Sequence, residues 1–421
     1  MSDSVLVIDN DPNIVELLSY FFERRGYTVH TAMDGTEGLR QAIAHRPDVV
    51  ICDVIMEPVH GFQVLEDIRA RRELDDTVVI MVSAKSFRPD IERALQLGAD
   101  DYVVKPFLMD ELLLTVQQRC VARHKGTMTV RFWGTRGSIA TPGPATTRYG
   151  GNTSCVELRC GGEVLVFDAG TGIRALGESL LREFKGRPLT VHLFVSHTHW
   201  DHIQGFPFFT PAYQVTSTIN VYGPSGQGRP LEKLLRGQMD PDYFPVALGD
   251  MGAAIRVHEY RTGEFAIGDT TVRAHYLNHP GMTLGYRVTH GGRSVVYATD
   301  NEPYRHTLPR FSRRAETAEG FGALLDENLV RFVADADLYI GEAQYTDEEY
   351  PRKVGWGHSS VSATVEVALQ ARVKTLALYH HDPMHTDDVV TAMEATARRI
   401  IESRGAAMRC FAAQEGQVIE V

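Results

Sequence analysis

Residues 196–202 place four side chains of metal-ligand type within six positions. They are His197, His199, Asp201 and His202. Neutral imidazoles and carboxylates are the ligands that zinc and similar divalent ions prefer in proteins. In an extended loop, alternation directs His197 and His199 to one side, while Asp201 and His202 reach a second point nearby. Because one ion needs fewer ligands than this loop supplies, the spacing predicts two ions. The alternative is a polar surface loop with a chance group of histidines.

Further residues of ligand type stand at the ends of apolar segments elsewhere in the chain. They are Asp168 after residues 164–167, His279 after residues 271–277, Asp300 after residues 294–299, and His380 and His381 after residues 375–379. Each segment has the length and the β-branched content of a strand. Because strand ends meet at the rim of a sheet, we expect these residues to converge on the loop at 196–202.

The order of these residues resembles the metallo-β-lactamase superfamily over residues 128–421. The resemblance implies an αββα sandwich with a dinuclear metal centre, zinc being expected and manganese or iron the alternatives. The implied ligands of the first ion are His197, His199 and His279, those of the second are Asp201, His202 and His380, and Asp300 would bridge the two. Asp168 would orient the ligand loop from outside the coordination shell. For His381 the resemblance leaves a contact on the substrate side or a structural role.

The segment Gly357-His358-Ser359-Ser360 resembles the Gly-His-Ser-Thr element of the phosphodiesterase branch, which includes ribonuclease Z and cyclic-nucleotide phosphodiesterases. This resemblance implies that His358 assists departure of the leaving alcohol, and Asp201 is the expected acceptor of the nucleophile's proton. The alternative for the segment is a helix start capped by a serine. Glu342 resembles part of the His-Glu-Ala element of ribonuclease Z, but Gly341 replaces its histidine, which argues against transfer-RNA processing.

Two glycine-rich segments, residues 132–138 and 149–155, also fit that branch. Within them, Arg136 and Asn152 are candidate contacts for a substrate phosphate. The alternative is that both segments are structural hairpins. Residues 224–262 and 302–330 carry no metal motif and are predicted insertions, the second helix-prone and suited to a lid or a dimer contact.

The first 123 residues predict a separate α/β unit. The predicted strands are residues 5–9, 49–53, 78–83 and 101–105, and the predicted helices are residues 13–25, 61–71, 89–97 and 109–122. Short β–α repeats of this kind predict a doubly wound parallel sheet with its functional residues at the carboxyl ends of the strands.

Asp53, Ser83 and Lys105 end three of the predicted strands, and Tyr102 lies within the last of these. Together they resemble the site of the flavodoxin-like receiver domain of two-component response regulators. Asp53 matches the phosphoacceptor, Lys105 the lysine that pairs with the phosphoryl group, Ser83 the switch hydroxyl and Tyr102 the switch aromatic. The resemblance implies phosphorylation by a cognate histidine kinase or a small phosphodonor.

The receiver pattern departs from the family at one position. Asp9 and Asn10 stand where two adjacent acids usually hold Mg²⁺. An amide oxygen is a weaker ligand for this hard cation than a carboxylate, so Asn10 implies weaker Mg²⁺ binding and slower phosphorylation. The alternative is a docking or dimer module that is not phosphorylated.

The composition and charge of the chain argue against several classes of protein. The net charge of −11 argues against an extended nucleic-acid surface. No apolar run approaches the ~18 residues of a membrane span, and the first residues do not resemble a signal peptide. Five scattered cysteines fit reduced thiols in the cytoplasm.

These observations predict a receiver domain at 1–123, a hinge at 124–127 and a metallohydrolase domain at 128–421. The expected function is a phosphorylation-regulated dinuclear phosphodiesterase for a small nucleotide, with a cyclic nucleotide as the first expectation and a homodimer as one assembly. Three alternatives stay open: a nuclease acting on RNA or single-stranded DNA, a lactone or ester hydrolase, and a signalling module without catalysis.

Overall fold

A computed structural model describes residues 4–74, 77–84, 88–123, 127–226, 228–311 and 315–421. The chain divides into two compact units, Met1–Lys125 and Gly126–Val421. Three of the four positions of the predicted hinge at 124–127 lie outside the described residues, so the hinge stays a prediction. Within the described ranges, no helix is long and apolar enough to cross a membrane.

The N-terminal unit alternates strands and helices along its whole length. Its elements are β1 (Ser4–Ile8), α1 (Pro12–Glu23), β2 (Thr28–Ala32), α2 (Gly35–His45), β3 (Val49–Asp53), α3 (Gly61–Arg69), β4 (Val78–Ser83), α4 (Arg88–Gln96), β5 (Asp101–Val104) and α5 (Met109–Arg123). The strands form one parallel sheet in the order β2-β1-β3-β4-β5. This is the flavodoxin-like order of a doubly wound fold, which confirms the predicted fold class of this unit.

The central strands of this sheet are apolar because helices cover both faces. Every residue of β3 and β4 is buried, and the two apolar clusters of the unit lie on opposite sides of the sheet. Continuous runs of valine and isoleucine are typical of parallel strands that lack a solvent face.

The C-terminal unit contains fourteen described strands and seven α-helices. The strands are β6 (Met128–Gly134), β7 (Cys155–Cys160), β8 (Glu163–Phe167), β9 (Leu189–Phe194), β10 (Ser217–Gly223), β11 (Ala254–Glu259), β12 (Gly263–Ile267), β13 (Thr270–Leu277), β14 (Thr283–His290), β15 (Arg293–Ala298), β16 (Leu338–Glu342), β17 (Thr375–Tyr379), β18 (Arg409–Ala412) and β19 (Val418–Glu420). The helices are α6 (Ile173–Phe184), α7 (Trp200–Ile203), α8 (Leu231–Gly237), α9 (Tyr304–Phe311), α10 (Ala315–Val333), α11 (Val361–Gln370) and α12 (Asp387–Ser403).

Two seven-stranded sheets form the centre of this unit. Their strand orders are β11-β10-β9-β8-β7-β6-β19 and β12-β13-β14-β15-β16-β17-β18. One apolar cluster draws residues from both sheets and fills the space between them. A second cluster joins α6 and α8 to the first sheet, and a third joins α10, α11 and α12 to the second sheet. The layers therefore run helix, sheet, sheet, helix, which confirms the predicted αββα sandwich.

Three residues that follow strands turn the chain out of the sheets at one rim. Asp168 follows β8, Asp300 follows β15 and His380 follows β17, and their φ angles are 60°, 54° and 61°. Left-handed backbone is uncommon outside glycine, and aspartate and histidine are among the residues enriched there. The turns let these side chains point across the rim instead of into a sheet face.

The predicted insertion at 302–330 forms α9 and the first part of α10, apart from residues 312–314, which lie outside the described ranges. Leu329, Phe332 and Val333 at the end of α10 are buried in the cluster that covers the second sheet. The end of α10 is therefore part of the outer helix layer, and a lid or a dimer contact stays a prediction for the rest of the segment.

Candidate metal centre

Three imidazoles form the first group of candidate donor atoms. The Nε2 atom of His197 lies 2.8 Å from Nδ1 of His199, and Nε2 of His279 lies 3.0 Å from the same atom. His197 and His279 are buried, whereas His199 is exposed. We call these three residues the first donor group.

One carboxylate and two imidazoles form the second donor group. Oδ2 of Asp201 lies 3.2 Å from Nε2 of His202 and 3.2 Å from Nε2 of His380, and the two imidazole nitrogens are 3.3 Å apart. All three side chains are buried. The second donor group thus converges on a single point in the protein interior.

Asp300 lies between the two donor groups and directs one oxygen to each. Its Oδ2 atom is 3.6 Å from Nε2 of His197 and 3.6 Å from Nε2 of His279. Its Oδ1 atom is 3.3 Å from Nε2 of His202 and 3.2 Å from Nε2 of His380. Each group therefore has four donor atoms when its share of Asp300 is counted.

The distances in the second donor group fit a divalent ion with tetrahedral coordination. Four donors ~2.0–2.1 Å from a zinc ion stand ~3.3–3.4 Å apart. In the second donor group, the five distances measured among Asp201, His202, His380 and Oδ1 of Asp300 lie between 3.2 and 3.3 Å. The residues present fit the expected pair of ions. Their role as ligands stays a prediction.

The second nitrogen of four of these histidines is occupied by a protein partner. The contacts are His197 Nδ1 with Ser196 Oγ at 3.1 Å, His202 Nδ1 with Asp168 Oδ2 at 2.7 Å, His279 Nδ1 with the Gly357 carbonyl at 2.8 Å, and His380 Nδ1 with Gln344 Oε1 at 3.0 Å. Such contacts fix the orientation of a ring and leave the other nitrogen for an ion. All four rings thus present Nε2 to the donor groups.

Asp168 holds the ligand loop from behind. It is fully buried, and its carboxylate accepts hydrogen bonds from the Ser196 amide (2.6 Å), the Ser196 hydroxyl (2.8 Å) and the Tyr297 hydroxyl (2.6 Å), besides its contact with His202. This is the place that the sequence predicts for Asp168. Tyr297 was not among the predicted site residues, although a tyrosine within a buried strand signals that its hydroxyl needs a partner.

The electrostatics differ between the two donor groups. Burial lowers the pKa of His197, His199 and His279, so that these imidazoles stay neutral and have lone pairs to donate. Burial also opposes the charged form of His380, but Asp300, Asp201 and Glu342 outweigh it and raise its pKa to about 10. The carboxylates around the second donor group therefore favour a positive charge at that point.

His358 lies beside both donor groups and makes a short hydrogen bond through Nδ1 to Oε1 of Glu342. Its ring packs against His380 with centroids 5.3 Å apart and against His279 with centroids 5.0 Å apart. Burial disfavours the charged form, yet Glu342 outweighs it and the pKa of His358 is raised. Glu342 was not among the predicted site residues, although an acid at the end of β16 follows the same pattern as Asp168.

Glu302 fixes the loop that carries His358. Its buried carboxylate accepts hydrogen bonds from the amides of Gly355 (2.8 Å) and Gly357 (2.7 Å) and from the Tyr350 hydroxyl (3.0 Å). The φ of Gly357 is 88°, and a Cβ there would overlap the His279 ring. The loop therefore approaches the first donor group closely at a position where only glycine fits.

The structure contradicts the predicted substrate contact of Arg136. This side chain is fully buried, and its guanidinium donates to the carbonyl groups of Gly150 (2.9 Å), Asp382 (3.1 Å) and His385 (2.7 Å). Arg136 therefore joins three backbone segments and is not accessible to a ligand.

His381 and Asn152 also make structural contacts. His381 is buried, its Nε2 donates to the Ala413 carbonyl at 3.0 Å, and burial lowers its pKa to about 3. Of the two roles left open for His381, the structure supports the structural one. The Asn152 amide group donates to Glu415 at 2.9 Å and its oxygen accepts from Thr171 at 3.0 Å, so its polar atoms are occupied.

The receiver residues also converge at one rim. Nζ of Lys105 lies 2.7 Å from Oδ1 of Asp53 and 2.7 Å from Oδ2 of Asp9. Burial raises the pKa of Asp53, and Lys105 offsets part of this rise. Asn10 is exposed beside them. The ammonium thus already occupies the position from which it would pair with a phosphoryl group on Asp53.

The switch residues lie on the neighbouring strands. Ser83 ends β4 and is buried, and its hydroxyl is hydrogen-bonded to that of Tyr102 on β5. A phosphoryl group that recruited Ser83 would therefore compete with this contact.

Comparison with known proteins identifies both units. Residues 164–381 match the family described as "Beta-lactamase superfamily domain". The chain belongs to the beta-lactamase superfamily. The matched range of this superfamily member contains every residue of the two donor groups, together with Asp168, Asp300 and His358. Residues 5–117 match the "Response regulator receiver domain" family.

Curated relatives match the receiver. PhoP of Bacillus subtilis, an alkaline phosphatase synthesis transcriptional regulatory protein, is 39% identical over 107 residues, which is 25% of this chain and 44% of PhoP. The transcriptional regulatory protein PrrA of Mycobacterium tuberculosis is 37% identical over 126 residues, which is 30% of this chain and 52% of PrrA. The chain spans about half the length of these relatives.

Solved structures resemble each unit. YhfI of Bacillus subtilis, a metallo-beta-lactamase fold protein, is 19% identical with a TM-score of 0.48 over 70% of this chain and 100% of YhfI. The short form of human tRNase Z is 22% identical with a TM-score of 0.45 over 69% of this chain and 98% of its own. The chemotaxis response regulator CheY4 of Vibrio cholerae is 31% identical with a TM-score of 0.28 over 28% of this chain and 99% of CheY4. The two family matches and the donor groups show that the protein joins a receiver domain to a metallo-β-lactamase-fold domain that carries a His/Asp cluster.

Proposed function

We propose that the C-terminal unit is a dinuclear-metal phosphodiesterase that hydrolyses a small nucleotide phosphodiester, and that Asp53 of the receiver regulates its rate. One observation supports a phosphodiester as the substrate. His358, held by Glu342, stands beside the first and second donor groups, and its ring packs against those of His279 and His380. A proton-bearing group at this place suits the departure of an alcohol from phosphorus.

Two divalent ions, when bound, supply an activated water and neutralise the charge on the phosphoryl oxygens. Asp201 is the residue that we assign as proton acceptor. Its Oδ2 atom is occupied by the second donor group and by the Ser138 amide, which donates to it at 2.6 Å. Its Oδ1 atom is the one left to take a proton from the attacking water.

His358 is the residue that we assign as proton donor. Because Glu342 engages Nδ1, the ring presents Nε2 to a ligand, and the proton on Nε2 can pass to the departing oxygen. Glu342 is itself fixed by the Asn301 amide, which donates to its Oε2 atom at 2.5 Å. A carboxylate that orients and charges an imidazole in this way is a recurrent element of general acid–base catalysis.

The receiver supplies the regulatory half of the proposal. Asp53, Lys105, Ser83 and Tyr102 have the placement needed for an acyl phosphate and for a hydroxyl that responds to it. We infer that a histidine kinase or a small phosphodonor modifies Asp53 and that the modification changes the phosphodiesterase rate.

The test is a substrate panel combined with one substitution. The panel contains bis-p-nitrophenyl phosphate, cyclic mononucleotides, cyclic dinucleotides, a short RNA and a lactone. His358→Ala should lower phosphodiester turnover by ~10²–10⁴-fold without loss of metal, and less for the good leaving group p-nitrophenolate. The exposed His258 on β11 gives the control, and His258→Ala should leave every rate unchanged. Equal losses on good and poor leaving groups would exclude the acid role, and hydrolysis of the lactone alone would exclude the proposed function.

A further inference from the structure

The ammonium group of Lys353 contacts two aromatic rings, those of Trp356 and Tyr345. Its Nζ atom is 4.1 Å from the centroid of the Trp356 ring and 5.6 Å from the centroid of the Tyr345 ring. Both distances are within the ~6 Å range of cation–π contacts. Across the ranges that the structure describes, no carboxylate lies within 4.0 Å of this ammonium.

Both rings connect Lys353 to the residue that we assign as proton donor. The Tyr345 ring meets the His358 ring edge-on, with centroids 6.0 Å apart and an interplanar angle of 85°. Trp356 stands two positions before His358 in the same loop, the one that Glu302 holds. The ammonium is therefore one ring away from the His358 imidazole.

Lys353 is positioned to receive an anion from solution. Its side chain is partly exposed, and the Trp356 side chain is 58% exposed. A cation–π contact holds an ammonium in place but leaves N–H donors unused and the charge without a counter-ion. On a chain whose net charge is −11, an unpaired cation one ring away from His358 favours negatively charged ligands there.

We propose that Lys353 is a specificity-determining residue that binds a second phosphate of the substrate, carried by the leaving nucleoside. The inference rests on the proposed function, because His358 marks the side on which the alcohol departs. The preferred substrate is then a phosphodiester whose leaving nucleoside bears another phosphate, as in a dinucleotide with a terminal phosphate or a cyclic dinucleotide. A cyclic mononucleotide has a single phosphate and cannot engage both His358 and Lys353 in this way.

The experiment compares matched substrates on the full chain loaded with metal. The dinucleoside monophosphate ApA is compared with pApA and ApAp, which differ from it only by a terminal phosphate at one end or the other. One of the two should have a kcat/KM roughly twofold to fivefold above that of ApA, chiefly through KM, as expected for a single partly exposed contact between an ammonium and a phosphate.

Three variants assign that preference to Lys353. Lys353→Met keeps an unbranched side chain against the two rings but removes the charge, so it should abolish the preference, and its loss on bis-p-nitrophenyl phosphate should be smaller than its loss on the preferred dinucleotide. Lys353→Arg should retain most of it. Lys233→Met, at an exposed position of α8, is the matched control and should change nothing.

Several outcomes would overturn the inference. It is wrong if the wild type hydrolyses bis-p-nitrophenyl phosphate but treats ApA, pApA and ApAp alike, or if the preference survives in Lys353→Met. Equal losses on all substrates in Lys353→Met would mean that Lys353 only holds the loop. If the wild type hydrolyses no diester at all, the proposed function fails, and this inference fails with it.

Discussion

Removal of the Asp300 carboxylate should empty both metal positions at once. Asp300 supplies one of the four donors of each group, with its two oxygens 3.2–3.6 Å from four imidazole nitrogens. Asp300 is therefore the carboxylate that directs one oxygen to each group. Asp300→Ala and Asp300→Asn are the two changes to compare, because asparagine keeps the shape of the side chain and accepts the left-handed backbone found here.

The size of the effect follows from two contributions. Loss of a partner that only supports a ligand weakens metal binding ~10–100-fold, so loss of a direct, charged ligand should exceed ~100-fold at each position. In addition, two dications ~3.5–4 Å apart repel each other four times as strongly as two unit charges would, and Asp300 is the carboxylate between them. Without it, binding of a second ion should become unfavourable.

The assay is metal content per chain after dialysis, measured by elemental analysis, with affinities from competition against a chromophoric chelator. We expect about two ions for the wild type, about one for Asp201→Ala and for His279→Ala, and close to none for either Asp300 variant. Circular dichroism and a thermal melt check that each variant is folded. Two retained ions in a folded Asp300→Asn protein, or losses that do not distinguish Asp300 from Asp201, would refute the bridging arrangement.

Three further predictions concern the receiver and the loop that carries His358. Beryllofluoride with Mg²⁺ should change the phosphodiesterase rate or the oligomeric state of the wild type but not of Asp53→Ala. An identical response of the two proteins in rate and sedimentation assays would exclude control by Asp53. Asn10→Asp should lower the Mg²⁺ concentration needed for half-maximal binding at least severalfold, since a carboxylate replaces an amide as ligand. The same change should speed phosphorylation by acetyl phosphate. Unchanged Mg²⁺ titrations would show that Asn10 is not a ligand. Glu302→Gln should lower turnover roughly tenfold, because glutamine can still accept a hydrogen bond from the amide of Gly355 or Gly357. Glu302→Ala should lower turnover more and should also reduce the melting temperature. Equal activity of Glu302→Ala and wild type would contradict the positioning role.

Much of the fold could be predicted because its buried strands are continuous apolar runs. Residues 49–53, 78–83 and 375–379 were predicted as strands and have the same bounds in the structure. The edge strand β2 was not among the predicted elements, since its Thr28 and Thr31 side chains are exposed and it lacks an apolar pattern. The following helix, α2, had a usable signal, because Asp34 caps it by accepting from the Glu37 amide.

In the candidate site, residues that follow a local spacing could be predicted from the sequence, whereas their distant partners could not. His197, His199, Asp201 and His202 follow a local spacing that depends only on the conformation of one loop, so the sequence predicts them together. Some of the partners that orient them come from far along the chain: Asp168 contacts His202 across 34 positions, and the Tyr297 hydroxyl donates to Asp168 across 129 positions. No local pattern encodes such a pair. Arg136 shows the opposite error, because a buried arginine bound to carbonyl groups has the same sequence appearance as one that binds phosphate.

The left-handed backbone at Asp168, Asp300 and His380 limits which residues can replace these three if the domain loses its activity during evolution. A residue type that strongly disfavours this backbone would strain the fold as well as remove a donor, at a cost of about 1–3 kcal/mol per position. Asparagine and glycine accept the turn and need no rearrangement of the strands. Descendants that keep the sandwich as a non-catalytic scaffold are therefore expected to carry asparagine or glycine at these three positions, and such a pattern would mark a decayed site from sequence alone.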